Sequence, residues 1–234
     1  MRVGIGAMLA ALCLLSVGGA VLLLLLWQQD RASGVLTTQL DRTWELLDTL
    51  RVVERWVALG LVPVGMGWIG LAAVNAGRAT GVRRIPVLAV LSLPVSLAGV
   101  WWIGSEFVAG SDQTAVRVGG WLGQCVMLAI VALFVDRIAT AADARHGPVR
   151  MAWVVACGYL AQLQFLGGLS TIDRTEVDGR WGEYGAFLLI GALIQVVGAL
   201  TINEAERAIE EATEQRYELR SRFSESLLAQ AAAR

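Results

Sequence analysis

The apolar residues of this chain fall into long runs, and the first, residues 3–27, contains Val-Leu-Leu-Leu-Leu-Leu at 21–26. Hydrocarbon offers no partner for backbone N–H and C=O groups, so a run of about 20 apolar residues crosses it as a helix. Further runs follow at about 56–74 and 85–104, in a stretch ending near 135, and at 151–172 and 181–203. The reading is therefore all-α: a polytopic membrane bundle of six transmembrane helices, with an outer amphipathic helix and a long cytoplasmic C-terminal helix. Of 234 residues only 17% are charged, against about 25% in soluble domains. The expected organisation is a first transmembrane helix at 1–27, an outer helical loop at 28–55, a five-helix transmembrane region at 56–203 and a cytoplasmic helix at 204–234. The first run exceeds a signal-peptide core and has no small-residue cleavage site after it, so it reads as a retained helix.

Orientation follows from the short connectors. Those after the second and fourth runs hold six arginines, and those after the third and fifth hold three. The arginine-rich side is expected to be cytoplasmic, which places both termini inside at the plasma membrane. Trp27, Trp56, Trp101, Trp102, Trp121 and Trp181 fall at the expected outer ends, where indoles favour the headgroups, and Trp153 at an inner end.

The two amphipathic appendages are the expected partner-binding elements. In 28–55, Leu36, Leu40, Leu47 and Leu50 recur at helical spacing beside Trp44, and Arg42–Glu45 and Asp48–Arg51 are spaced for i,i+3 pairing. This predicts a helix on the outer membrane surface, against a partner or against its own bundle. After Asn203 no Gly or Pro occurs. Ala205, Ile209, Ala212, Leu219, Phe223 and Leu227 trace an intermittent coiled-coil stripe, broken by Arg216. About 30 residues in one helix would project ~45 Å. The candidate partner-binding residues are thus Leu36, Leu40, Trp44 and Leu47 outside, and Ile209, Leu219, Phe223 and Leu227 inside.

Reactive chemistry is sparse. Lysine is absent, which excludes a retinal Schiff base. His146 is the only histidine, so bis-histidine haem ligation and a His/Cys zinc site are not expected. Cys13, Cys125 and Cys157 lie in different apolar runs and read as small buried hydrophobes. No GxSxG, HExxH or Walker sequence occurs, so neither an enzyme nor a cofactor is expected. The net charge of −1 argues against a nucleic-acid partner. No ionisable residue falls near the centre of an expected span. The polar residues there are Ser92, Ser96, Gln124, Gln162, Gln164 and Gln195. Gln124, Gln162 and Gln195 are the candidate intramembrane contacts, expected to hydrogen-bond between helices.

The order of features resembles actinobacterial multi-pass membrane proteins grouped as a domain of unknown function. The likeness lies in Ala72-Ala73-Val74-Asn75-Ala76-Gly77-Arg78, in the helix through Pro94 to Trp101-Trp102, and in Leu200-Thr201-Ile202-Asn203-Glu204-Ala205-Glu206-Arg207. It implies a fold and no activity. Six spans followed by a charged helix also resemble the input half of a membrane sensor histidine kinase, which would imply a receptor module. The leading expectation is a non-enzymatic accessory or scaffold subunit of a larger envelope complex, for example one for lipid transport or respiration. The alternatives are a small transporter or lipid-binding membrane protein, and a sensory module. The expected partners are membrane lipids and either other subunits or further copies of the chain.

Overall fold

The computed structural model describes residues 2–31, 37–80, 87–108, 113–169, 172 and 180–232. Among these the chain is helical almost throughout and contains no strand. The helices are α1 Arg2–Arg31, α2 Thr37–Thr80, α3 Val87–Trp102, α4 Thr114–Ala142, α5 Gly147–Phe165 and α6 Trp181–Ala232. Four of them contain stretches long and apolar enough to cross a membrane: Ile5–Arg31, Gln39–Ala79, Thr114–Ala142 and Trp181–Glu225. α3 adds a shorter apolar stretch, Leu93–Ser105.

Helices consecutive in the chain run antiparallel, and named contacts fix their register. Against α1, Thr43 of α2 donates to Gln29 Oε1 at 3.2 Å, Leu50 packs beside Gly18, and Gly60 meets Met8. Between α4 and α5, the Trp121 indole donates to the Cys157 carbonyl at 3.0 Å, and Asp136 meets His146 at 2.7 Å. Between α5 and α6, Gln195 donates to Tyr159 and Val155 packs on Gly198. α1, α2, α4, α5 and α6 close a ring, while α3 packs mainly on α4. The turn from α4 to α5 is tight because Asp143 adopts the left-handed conformation (φ 62°) and its N–H returns to the carbonyls of Ala139 and Thr140. Pro148 then opens α5, where its fixed φ and missing N–H cost nothing.

Two apolar cores hold the ring. One joins Leu23, Leu26, Trp44, Leu47, Leu169, Ile172, Trp181 and Leu188, with the Trp44 and Trp181 rings 5.8 Å apart. The other joins Leu9, Leu12, Trp68, Phe134, Ile138 and Ile209 with a row of alanines. The alanines let α2, α4 and α6 approach closely.

Two expectations are corrected here. Residues 37–55 are not a separate surface helix; they are the first part of the 44-residue α2, which contains Pro63. Trp44 and Leu47 are buried inside the chain and Leu40 packs against them, so they are not a partner surface. The physical reason is that their helical spacing continues into the apolar half of the same helix, and one seam packs on α1 throughout. The second concerns Ile209, expected to meet a partner. α6 runs on for 52 residues, and Ile209 is buried in the second core. Beyond it, Arg216 pairs with Asp143 at 3.3 Å, and Arg220 donates to the Arg78 carbonyl at 2.7 Å. Leu219 and Phe223 remain exposed. Leu36 and the side chain of Leu227 lie outside the described residues, as do Pro86 and the side chain of Ser92. Trp56, placed by sequence at an outer end, lies one turn before Gly60 and so beside the middle of α1; it is exposed, as are Trp101 and Trp102.

A candidate intramembrane polar site

Positions 40, 47, 61 and 68 of α2 are Leu, Leu, Leu and Trp at intervals of seven residues, and position 54 is Glu. Seven residues are close to two helical turns, so Glu54 occupies the seam that its leucine neighbours define. It is buried at 8% exposure. The register with α1 puts it between the Leu50–Gly18 and Gly60–Met8 contacts. It is therefore within about half a turn of the level of Ser16, which lies about 21 Å from either end of α1.

Three other helices bring polar groups to this depth. The Ser16 hydroxyl donates to Gln195 Oε1 at 3.4 Å. The Gln195 amide in turn donates to the Tyr159 hydroxyl at 3.1 Å. Glu54 is within electrostatic reach of that hydroxyl. Since Tyr159 accepts from Gln195, its own proton remains available for an acceptor. Ser16 and Gln195 are buried. In a low-dielectric interior such groups hold one another in place, and each is costly to leave unsatisfied. The arrangement can bind, orient or pass a proton.

The other candidate glutamines stand elsewhere. The buried Gln124 amide donates to the Val100 carbonyl at 2.9 Å, and its oxygen accepts from Gln164 at 3.0 Å. Val100 lies just before the π-helical stretch Ile103–Val108, where the change from i+4 to i+5 bonding releases carbonyls to side-chain donors. The buried Gln162 donates to the carbonyls of Gly167 and Phe187, tying the end of α5 to α6. Neither group joins Glu54. Glu54 and Tyr159 escaped the sequence reading. The signal for Glu54 was the seven-residue leucine spacing, which a helix boundary drawn at Trp56 cut in two.

Below the network, the ring helices border a partly open apolar cavity of about 240 Å³. It is lined from all five ring helices, by Ile5 of α1, Leu61 and Trp68 of α2, Val131 of α4, Ala156 of α5 and Ile202 of α6. A second feature lies on the outside of α2. Glu45, Asp48 and Arg55 are exposed, and Arg51 binds Asp48 at 2.9 Å. These residues flank Leu50 and are therefore beside the apolar middle of α1.

Cys125 lies one turn after Trp121, whose indole bonds the Cys157 carbonyl, so the two thiols are neighbours on facing helices. Iodine oxidation of the detergent-solubilised protein is expected to join them, leaving Cys13 as the only titratable thiol. A thiol titration that still counts all three cysteines would contradict the packing of α4 on α5. No group of three metal-ligating side chains occurs among the described residues. Comparison with protein families, with curated proteins and with solved structures finds no match.

Proposed function

We propose that this chain is a non-enzymatic structural subunit of a larger membrane complex, crossing the plasma membrane six times with both termini in the cytoplasm. The carrying observation is the register of α2 on α1. If lipid surrounds the whole apolar length of α1, then Glu45, Asp48 and Arg55 face hydrocarbon, at about 2.5–3.5 kcal/mol per central charge. If instead those charges sit at the headgroups, the outer part of α1 with Val21, Leu24 and Leu25, all at least 42% exposed, stands in water. Either placement leaves a face that a second polypeptide must cover. Fixed charges in a membrane are satisfied by other protein groups or by an aqueous cavity. The antiparallel succession of α3, α4 and α5 supports counting α3 and α5 as crossings, and the arginine asymmetry supports the orientation.

A photoreactive residue at position 48 tests this reading in intact membranes. It is expected to cross-link in high yield to a stoichiometric second polypeptide, whereas the same residue at Val126, 64% exposed on α4, labels lipid. Lipid adducts alone from position 48, together with a single-chain particle in mild detergent, would overturn the proposal.

A further inference from the structure

The polar network stands about two helical turns above the cavity, on the helix faces that line it. On α2, Leu61 of the cavity wall lies seven residues after Glu54; on α6, Ile202 lies seven after Gln195. On α5, Ala152 and Ala156 lie seven and three residues before Tyr159. On α1, Ile5 lies eleven before Ser16. All of these spacings return to the same helix face. The polar groups thus sit on the faces that line the cavity, about 10 Å above it along the ring axis. A largely apolar pocket with a few convergent polar groups is the general form of a small-molecule site.

We infer that the cavity and the network above it together bind one membrane lipid chain carrying an uncharged, hydrogen-bonding head, a hydroxyl or carbonyl, with the chain in the cavity and the head reaching Glu54, Tyr159 and Gln195. Three observations select that chemistry. The wall is apolar apart from the indoles of Trp68 and Trp153, so water finds few partners there and hydrocarbon suits the space. The space exists because Gly65, Ala132, Ala152, Ala156 and Ala205 stand where larger apolar residues would close it, and Gly65 has open room where a Cβ would stand. At the head end the groups are a hydroxyl pair, an amide and a carboxyl. They exchange hydrogen bonds with a hydroxyl or carbonyl, and the Glu54 carboxyl disfavours a carboxylate or phosphate head. This inference does not depend on the subunit proposal, which concerns the outer face of α2.

The test uses the full chain in mild detergent and a dodecanol analogue with a photoreactive group at its chain terminus. Labelling is expected on the peptides containing Leu61–Trp68 and Ala152–Ala156, and excess dodecanol should compete it away while laurate does not. Gly65→Phe and, on another helix, Ala156→Leu fill the cavity and should each abolish the competable labelling. Tyr159→Phe removes one head hydrogen bond and should weaken competition by dodecanol about tenfold without weakening competition by dodecane. Labelling of the wild-type chain that dodecanol does not displace, or that laurate displaces as well as dodecanol, would overturn the inference. So would competable labelling that persists in both cavity-filling variants.

Discussion

Leu47→Ala is expected to lower the free energy of unfolding by about 2–5 kcal/mol, while its neighbour Leu46→Ala changes it by less than about 0.5 kcal/mol. Leu47 is fully buried between α1 and the Trp44–Trp181 pair, whereas Leu46 is 53% exposed. Truncating Leu47 therefore removes packed methyl groups and leaves a hole that its neighbours fill only in part. Titration of the helical circular-dichroism signal with a denaturing detergent measures both changes. The contrast is specific to α2 as an integral member of the ring. A helix resting on the membrane surface would lose little from either substitution, and equal small effects would remove the basis for the register that places Glu54 at the centre.

A second large effect is expected at Gly19. A Cβ there would lie 2.6 Å from Leu169 Cδ1 and 3.1 Å from Leu188 Cδ1. Both leucines are buried, at 0% and 2% exposure, so neither has open space into which to withdraw. Gly19→Leu is expected to destabilise by about 3 kcal/mol or more through overpacking. Gly18→Ala, whose new methyl group would meet Leu50 Cδ1 at an ordinary 3.5 Å, should be neutral or stabilise by up to about 1 kcal/mol through helix propensity. The same detergent titration reads both. Combining Gly19→Ala with Leu169→Ala should cost less than the sum of the two single changes, because the cavity of one accepts the methyl group of the other. Strict additivity would show that α1 and Leu169 are not in contact.

The apolar runs made the helical class legible, since in hydrocarbon each helix must satisfy its own backbone and leaves a local signature. What sequence did not reveal depends on pairing between helices. The polarity of 37–55 looked like a surface segment because its charges were counted, while its seam of Leu40, Trp44 and Leu47 was read only as far as Trp56. Once the helix is continuous, the seven-residue interval carries Glu54 into the interior. Tyr159 carries no local mark at all; its significance comes from Gln195 standing opposite. Ser16 is likewise unmarked by its neighbours, and its partner lies 179 positions away. Leu169 and Ile172, in the stretch joining α5 to α6, are fully buried, because the groove between α1 and α6 receives them, not because of their neighbours in the chain.

α6 contains no proline, and no glycine after Gly198, so its 52 residues form a single rod of about 78 Å. Stiffness of that kind turns small rotations into large displacements. A tilt of about 10° about Gln195 would carry Phe223, some 40 Å further along, sideways by about 7 Å. The rod also cannot tilt alone. Its bonds to Asp143 and to the Arg78 carbonyl couple it to the α4–α5 turn and the end of α2. Whatever alters the spacing of Ser16, Tyr159 and Gln195 is therefore felt, magnified, at a distant point on the exposed leucine and phenylalanine face.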